Sequence, residues 1–158
     1  MSVNIINTAK SVRQITLHQV QSIPEELFDH QPEPFNNTIR WNVGHIVFCL
    51  DHFLSGCFQS SSHLPESYAG LFHTGTKPSE WSVTPPSKEE LLQQLSAQLN
   101  RISEVEPAAL EGLLPSPVTM GPLRFETAGE LFNFAFIHEA IHHATISCLL
   151  KVIRHNQH

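Results

Sequence analysis

Apolar residues recur at helical spacing in four stretches of the chain, and segments rich in Pro and Gly separate these stretches. The first stretch covers residues 3–22, and the second begins at Thr38 and reaches residue 54. The third, residues 87–102, and the fourth, residues 127–153, each begin with Ser or Thr followed three residues later by Glu, the spacing of a helix capping box. The pattern therefore predicts four amphipathic helices.

The connections between these helices are long. Residues 58–86 form an irregular stretch with several Pro and Gly residues, and a loop of this length is uncommon in a compact domain. We expect it to fold over one end of the core, because it carries three large aromatic side chains that need a docking surface: Tyr68, Phe72 and Trp81. In the next connection, residues 118–123 can form a short strand-like piece, but no convincing strand is predicted elsewhere. We therefore predict an all-α fold, a four-helix bundle with long crossover connections, that forms a single domain over residues 1–158.

Composition and charge narrow the range of partners. The chain has 158 residues, of which 41 % are apolar and 15 % are charged, and this is typical of a globular protein. Its net charge is −6 with neutral histidines and it has no cluster of Lys and Arg, so we expect neither nucleic acid nor an anionic membrane as a partner. No signal peptide and no run of about 18 apolar residues is visible. Three cysteines in apolar helical contexts indicate buried, reduced thiols in a cytoplasmic protein.

Two histidines of the fourth predicted helix, His138 and His142, are four residues apart and interrupt its apolar stripe. Residues at this spacing share one helix face, with Cβ atoms about 5–6 Å apart, so both imidazoles can reach one divalent ion. Buried imidazoles without partners are costly, and a metal ion is one way to satisfy them. A third candidate, His45, lies on the stripe of the second helix with Trp41. The glycine before it, Gly44, indicates that something approaches this helix closely.

The peptide from His138 to His142 matches the H-E-x-x-H motif of zinc proteases. Such proteases need a third ligand, and their extended motif requires a histidine and a glycine where this chain has Cys148 and Thr145. No glutamate follows His142, and no edge strand is visible that would bind a peptide. We therefore reject a protease and keep only the metal chemistry of the motif.

Other residues near the histidines need separate assignments. Cys49 is four residues after His45 and can close a four-coordinate structural site, although free cysteines usually pack as small hydrophobic residues. His52 lies two turns from His45, roughly 10 Å along the helix axis, so it cannot share the ion; it can sit behind the ligands or simply pack. Glu139 is turned by about 100° from the preceding histidine, and we expect it to face a neighbouring helix or solvent. Two further acids are expected to be solvated or to cap helices: Asp51 and Glu130.

The pattern Trp41-Asn-Val-Gly-His45-Ile in the second helix and the pattern His138-Glu-Ala-Ile-His142 in the last resemble the DinB/YfiT-like superfamily of small metal-binding four-helix bundles. Members have a histidine after a helix start that contains Trp, and His-x-x-x-His in the final helix. The order and lengths of all four helices also agree, so the resemblance covers nearly the whole chain.

The resemblance implies that His45, His138 and His142 hold one divalent ion, Zn²⁺ or Ni²⁺, and that the protein is a homodimer. Many members continue the final motif with a Gly-Gln-Ile-like sequence, where this chain has His-Ala-Thr-Ile from residue 143. This departure keeps the ligands in place but leaves the subgroup, and with it the substrate, open.

Two functions of different classes follow. Three neutral imidazoles with an open fourth position are how proteins hold catalytic zinc. The resemblance implies enzymes on small molecules, either transferases that activate a low-molecular-weight thiol such as bacillithiol or mycothiol, or hydrolases. The alternative is a metal-binding bundle without turnover, such as a stress-related binding module. A cleft lined by Trp41, Phe48 and residues 58–86 above the ion would favour the enzyme.

Overall fold

Within residues 2–156, which the computed structural model describes, the chain forms five α-helices and one pair of β-strands. The helices are α1 (Ser2–Ser22), α2 (Ile39–Phe58), α3 (Ser67–Phe72), α4 (Lys88–Ser103) and α5 (Ala128–His155), and the strands are β1 (Leu113–Met120) and β2 (Leu123–Thr127). Three short 3-10 helices lie in the connections, at Glu25–Leu27, Pro78–Glu80 and Pro107–Glu111. The chain is mostly helical, as the sequence predicts, and its four predicted helices correspond to α1, α2, α4 and α5.

Three of the long helices begin at capping residues. The Thr38 hydroxyl accepts a hydrogen bond from the backbone N–H of Trp41 at the start of α2. Reciprocal capping boxes begin the other two, Ser87 with Glu90 at α4 and Thr127 with Glu130 at α5. Each box satisfies backbone N–H groups that the first helical turn leaves without partners. The expected capping role of Glu130 is confirmed.

Each of the four long helices packs mainly against two others. Helix α1 contacts α4 and α5, and α2 contacts the same two helices from the other side. The consecutive helices α1 and α2 are therefore not main neighbours, and neither are α4 and α5, so the connections that end at α2 and at α5 each lead to the opposite helix of the four. None of the helices in residues 2–156 has the length and apolar character that crossing a membrane requires.

The segment between α2 and α4 is more ordered than the expected irregular stretch, because it contains α3 and a 3-10 helix. Its aromatic side chains dock on the core as predicted: Tyr68 and Phe72 are buried, and Trp81 is half-buried against them. Phe72 is also what approaches Gly44, since a Cβ added to Gly44 would lie 2.2 Å from Cε1 of the Phe72 ring. Glycine at position 44 thus lets α3 lie directly against α2.

An antiparallel hairpin of β1 and β2 precedes α5, and this corrects the expectation of no convincing strand. The predicted strand-like piece at residues 118–123 covers only its turn end. The strand β1 begins five residues earlier than that piece, at Leu113, and its register shifts between Leu113 and Val118. Two prolines in this part of β1, Pro115 and Pro117, cannot donate ladder hydrogen bonds, so the sequence there does not have the pattern of a strand.

The core consists of two clusters of buried apolar side chains that lie towards opposite ends of the helices. On each of three helices, a buried residue with a long polar side chain lies between the positions that belong to the two clusters, and on α1 the small polar residue Thr16 is buried there as well. The long side chains are those of Arg13 on α1, Gln98 on α4 and Glu139 on α5. The middle of the core is therefore polar.

The three cysteines differ in burial. Cys57 is buried and Cys49 is half-buried, and burial raises the pKa of both thiols to about 12. Cys148 is exposed on α5, so the expectation of three buried thiols is wrong at this position. An apolar neighbourhood in the sequence does not distinguish the outer face of a helix with small and apolar residues from its inner face.

Candidate metal centre

His45 from α2 meets His138 and His142 from α5. The potential ligand atoms of the three side chains lie within 4.8 Å of one another, and the Nε2 atoms of His45 and His138 are 3.2 Å apart. Two nitrogens bound to one zinc ion at 2.0–2.1 Å in a tetrahedral arrangement are about 3.3 Å apart. The spacing of the first pair therefore suits ligands of a single ion.

The position of His45 is fixed on two sides. Its ring stacks on Trp41, with centroids 4.5 Å apart and an interplanar angle of 13°, and its Nδ1 lies 2.7 Å from the Phe72 carbonyl oxygen. A carbonyl oxygen can only accept, so Nδ1 carries the proton and donates it. The Nε2 lone pair of His45 then faces the other two histidines.

His142 is oriented in the same way by Asn42. Its Nδ1 lies 2.9 Å from Oδ1 of Asn42, a buried residue three positions before His45. The amide orientation of Asn42 is determined because its Nδ2 donates to Oδ1 of Asn37 at 3.0 Å and to the Thr38 carbonyl at 2.9 Å. Since the oxygen is left to face His142, Nδ1 of that imidazole donates and Nε2 keeps its lone pair.

His138 is placed by aromatic rings and by His45. Phe53 lies edge-on to its ring at 5.8 Å between centroids, and Phe134 is 6.5 Å away. Its Nε2 faces the lone pair of His45 Nε2 at 3.2 Å. Either a proton on His138 Nε2 or a metal cation lies between two such nitrogens, and the three imidazoles that face one another here offer a donor set that fits a cation.

The three imidazoles are held in the neutral form that binds metals. Burial, with a smaller effect from the neighbouring His45, lowers the pKa of His138 to about 4. Burial and the two adjacent histidines lower the pKa of His142 to about 3. Burial also lowers the pKa of His45, although the Phe72 carbonyl partly offsets this. At neutral pH the imidazoles are therefore not in the imidazolium form, and a metal ion does not have to displace a second proton from them.

Two other residues of α2, Cys49 and His52, are not members of this group of three. The sulfur of Cys49 is 3.5 Å from Nε2 of His45 and 3.7 Å from its Nδ1, so it packs along the side of that ring. The mutually close ligand atoms belong to the three histidines and do not include this sulfur. His52 is exposed, with its ring against Phe53 at 6.2 Å.

Glu139 faces the neighbouring helix α1, which is one of the two orientations that the sequence predicts for it. It is buried and forms an ion pair with Arg13, with 2.9 Å between its Oε2 and Nη2 of the guanidinium. The carboxylate of the H-E-x-x-H peptide is therefore bound to an arginine and is not the general base that a zinc protease needs, which agrees with the rejection of that reading.

The expectation for Asp51 is wrong. Its side chain is buried and accepts hydrogen bonds from Ser62 and Arg101, both at 2.6 Å. The ion pair with Arg101 joins α2 to α4, and the hydrogen bond from Ser62 ties the segment that follows α2 to the same carboxylate. Periodicity alone did not reveal it, because the partner arginine is 50 residues away in the sequence.

Three surface cavities lie away from the histidines. One of about 430 Å³ lies between the end of α2 and the end of α4, lined by Leu54, Phe58 and Arg101 among others. Two smaller ones, of about 270 and 280 Å³, lie beside the start of α5 and beside its end. None of the three is the cleft expected around Trp41 and Phe48. His138 and His142 are nevertheless only half-buried, so solvent reaches the group.

The fold and the site together define a class of protein: it is mostly helical, and two of its helices bring three histidines together as a candidate metal centre. Comparison with protein families gives a match to the model described as the DinB superfamily over residues 9–146, which include all three histidines. The chain belongs to the DinB superfamily. Among curated proteins no match was found.

Proposed function

We propose that this DinB superfamily protein is a metal-dependent enzyme whose ion, Zn²⁺ or Ni²⁺, is held by His45, His138 and His142. The observation that carries the proposal is that Nδ1 of His45 and Nδ1 of His142 each donate to a fixed oxygen, which leaves both Nε2 atoms free beside His138. Oxygen partners behind ligand imidazoles are the usual arrangement in metal sites. The scaffold in this proposal is a four-helix bundle with crossover connections.

Three protein ligands leave one coordination position for a substrate. A bound divalent ion would lower the pKa of a thiol and hold its sulfur as a thiolate. The half-buried faces of His138 and His142 give a small molecule access, and the half-buried ring of Phe134 beside His138 offers apolar surface to its carbon skeleton. We therefore propose transfer of a low-molecular-weight thiol to an electrophile.

Two observations favour thiol transfer over hydrolysis. The group of potential ligand atoms contains no carboxylate, and the nearest acid in the sequence, Glu139, is bound to Arg13. Activation of water is commonly assisted by a carboxylate that accepts its proton. A thiol is more acidic than water and reacts as a thiolate without such a base.

A second candidate function is a metal-binding module without turnover. It is favoured by the cavities, since none of the three described above is lined by a histidine of the group. A cytoplasmic location and a homodimer are further parts of our proposal. The dimer is tested by light scattering, which would give twice the chain mass of 17.8 kDa.

The enzymatic proposal is tested with untagged protein loaded with Zn²⁺ or Ni²⁺ and a panel of electrophiles offered with several cellular thiols. We expect thiol consumption that a chelator abolishes, that added metal restores and that His138→Ala removes. The matched control is His52→Ala, which removes an exposed histidine of α2 outside the group and should leave activity unchanged. Turnover without thiol would instead identify a hydrolase, and bound metal without any turnover would favour the binding module.

A further inference from the structure

We propose that the buried ion pair of Arg13 and Glu139 positions the ligand histidines of α5 against His45. The two are positioning residues of the candidate metal centre and do not touch the ion. This inference rests on the proposed function, because it concerns the same three histidines.

The ion pair is part of a buried network that joins all four long helices. Arg13 on α1 donates from Nε and Nη2 to the two carboxylate oxygens of Glu139 on α5, at 3.0 and 2.9 Å. Its Nη1 donates to Oε1 of Gln98 on α4 at 2.7 Å, and Nε2 of Gln98 donates to the Val47 carbonyl of α2 at 2.8 Å. Arg13, Gln98 and Glu139 are each at most 2 % exposed.

Both ends of this network lie beside metal-ligand positions. Glu139 directly follows His138 and comes three residues before His142, so the carboxylate restrains the helical turn that carries both imidazoles. At the other end, Val47 is two residues after His45 on α2. A single chain of hydrogen bonds thus connects the two elements whose relative position sets the distances between the three imidazoles.

The apolar clusters cannot provide this restraint alone. Apolar side chains keep most of their contact energy when helices slide or rotate slightly, whereas a buried charge that leaves its partner is strongly penalised. The polar layer lies between the two clusters and contains a two-pronged arginine–carboxylate pair, whose geometry tolerates little rotation. Fixing the register of helices is the best-attested use of buried polar groups.

This proposal separates metal affinity from stability. Replacing a buried ion pair with apolar residues of similar volume is often neutral or stabilising, so a neutral double variant should remain folded. What it loses is the restraint on the angle and register of α5. The network therefore predicts weaker metal binding in a protein that is still folded.

The test compares two double variants of matched chemistry. Arg13→Met with Glu139→Leu removes the network pair, and Arg101→Met with Asp51→Leu removes the ion pair that joins α2 to α4 away from the histidines. Affinity for Zn²⁺ is measured by competition with a chelator, together with urea unfolding and the visible absorption of the Co²⁺-loaded protein. We expect a loss of about 10- to 100-fold in affinity and altered Co²⁺ bands in the first variant only, the range usual for groups that support metal ligands.

Each outcome has a definite meaning. Equal affinity and identical Co²⁺ bands in both double variants would overturn the positioning role while leaving the metal site intact. Absence of metal binding in the wild-type protein would overturn the proposed function, and the positioning role with it. If the first variant does not fold, Arg13→Lys keeps the charge but loses the two-pronged contact, and wild-type affinity there would overturn the inference.

Discussion

Two hydrogen bonds decide which nitrogen of an imidazole faces the shared centre. His45 donates to the Phe72 carbonyl and His142 donates to Asn42. The three histidines themselves could be predicted, since helical spacing and the family resemblance both pointed to them. Asn42 had a signal within the same motif, because it lies three residues before His45 on the same helix. The Phe72 carbonyl had none, because every residue carries a carbonyl and only the docking of α3 selects this one.

Gly44 gives the first prediction. In Gly44→Ala the new methyl group would lie 2.2 Å from the buried Phe72 ring, so this ring must shift, and we expect the shift to disturb the Phe72 carbonyl that accepts from His45. We expect a loss of about 1–3 kcal/mol in the free energy of unfolding, measured with urea, together with weaker metal binding. The control is Gly56→Ala on the same helix, where the nearest neighbouring atom is 3.4 Å away. That variant should be neutral or gain up to about 1 kcal/mol, and equal behaviour of the two would contradict the close contact.

The second prediction concerns pH in the metal-free protein. The ordinary histidine pKa is 6.5, and burial lowers that of His138 to about 4 and that of His142 to about 3. Between pH 6.5 and about 4 the unfolded chain binds more protons at these histidines than the folded chain does. Their contribution to the free energy of unfolding is therefore fully present above pH 6.5 and is lost as the pH falls towards 4. Urea unfolding with a chelator at about pH 7.5 and about pH 5 should show this loss.

A variant separates this effect from general acid denaturation. His142→Gln removes one titrating imidazole and should reduce the difference in unfolding free energy between the two pH values. An unchanged difference would show that His142 is not held neutral by burial.

The long helices were predictable because each has a periodic apolar stripe, and two of them also have capping boxes. Their observed bounds differ from the predicted ones by at most a few residues. Of the shorter elements, only the turn end of the hairpin was predicted, as the strand-like piece at residues 118–123. Helix α3 has only six residues and follows a serine-rich stretch, and β1 contains two prolines and a register shift. Helix α3 is too short for a periodic pattern of its own. The strand β1 is long enough, but its prolines and its register shift remove the regular alternation that identifies a strand.

The cap of α5 gives the third prediction. Thr127→Ala removes the hydroxyl that accepts the Glu130 N–H at 3.2 Å. We expect a loss of about 1 kcal/mol in the free energy of unfolding. Thr127→Ser keeps an oxygen at the same position and should retain most of the stability. If serine and alanine were equally destabilising, the loss would come from packing of the threonine methyl group and not from the cap.

For the whole molecule, two apolar clusters with a polar layer between them place the charged network and the histidines in the same middle section of the helices. The sequence did not reveal this layer, because Arg13 and Gln98 are polar residues of amphipathic helices, and such residues are expected on the solvated face. Their partners are far away in the chain, at separations of 126 residues for Arg13 with Glu139 and 51 for Gln98 with Val47. Buried contacts between residues so far apart in the sequence are set by how the helices pack together, and the periodicity of apolar residues does not describe this packing.

The metal content of untagged protein, measured by elemental analysis, tests the central claim most directly. We predict one Zn²⁺ or Ni²⁺ per chain in the wild-type protein and its loss in His45→Ala and in His142→Ala. His52→Ala, which removes a histidine outside the group, should keep the ion. Stoichiometric metal in both ligand variants, or none in the wild-type protein, would contradict the assignment of these histidines as metal ligands.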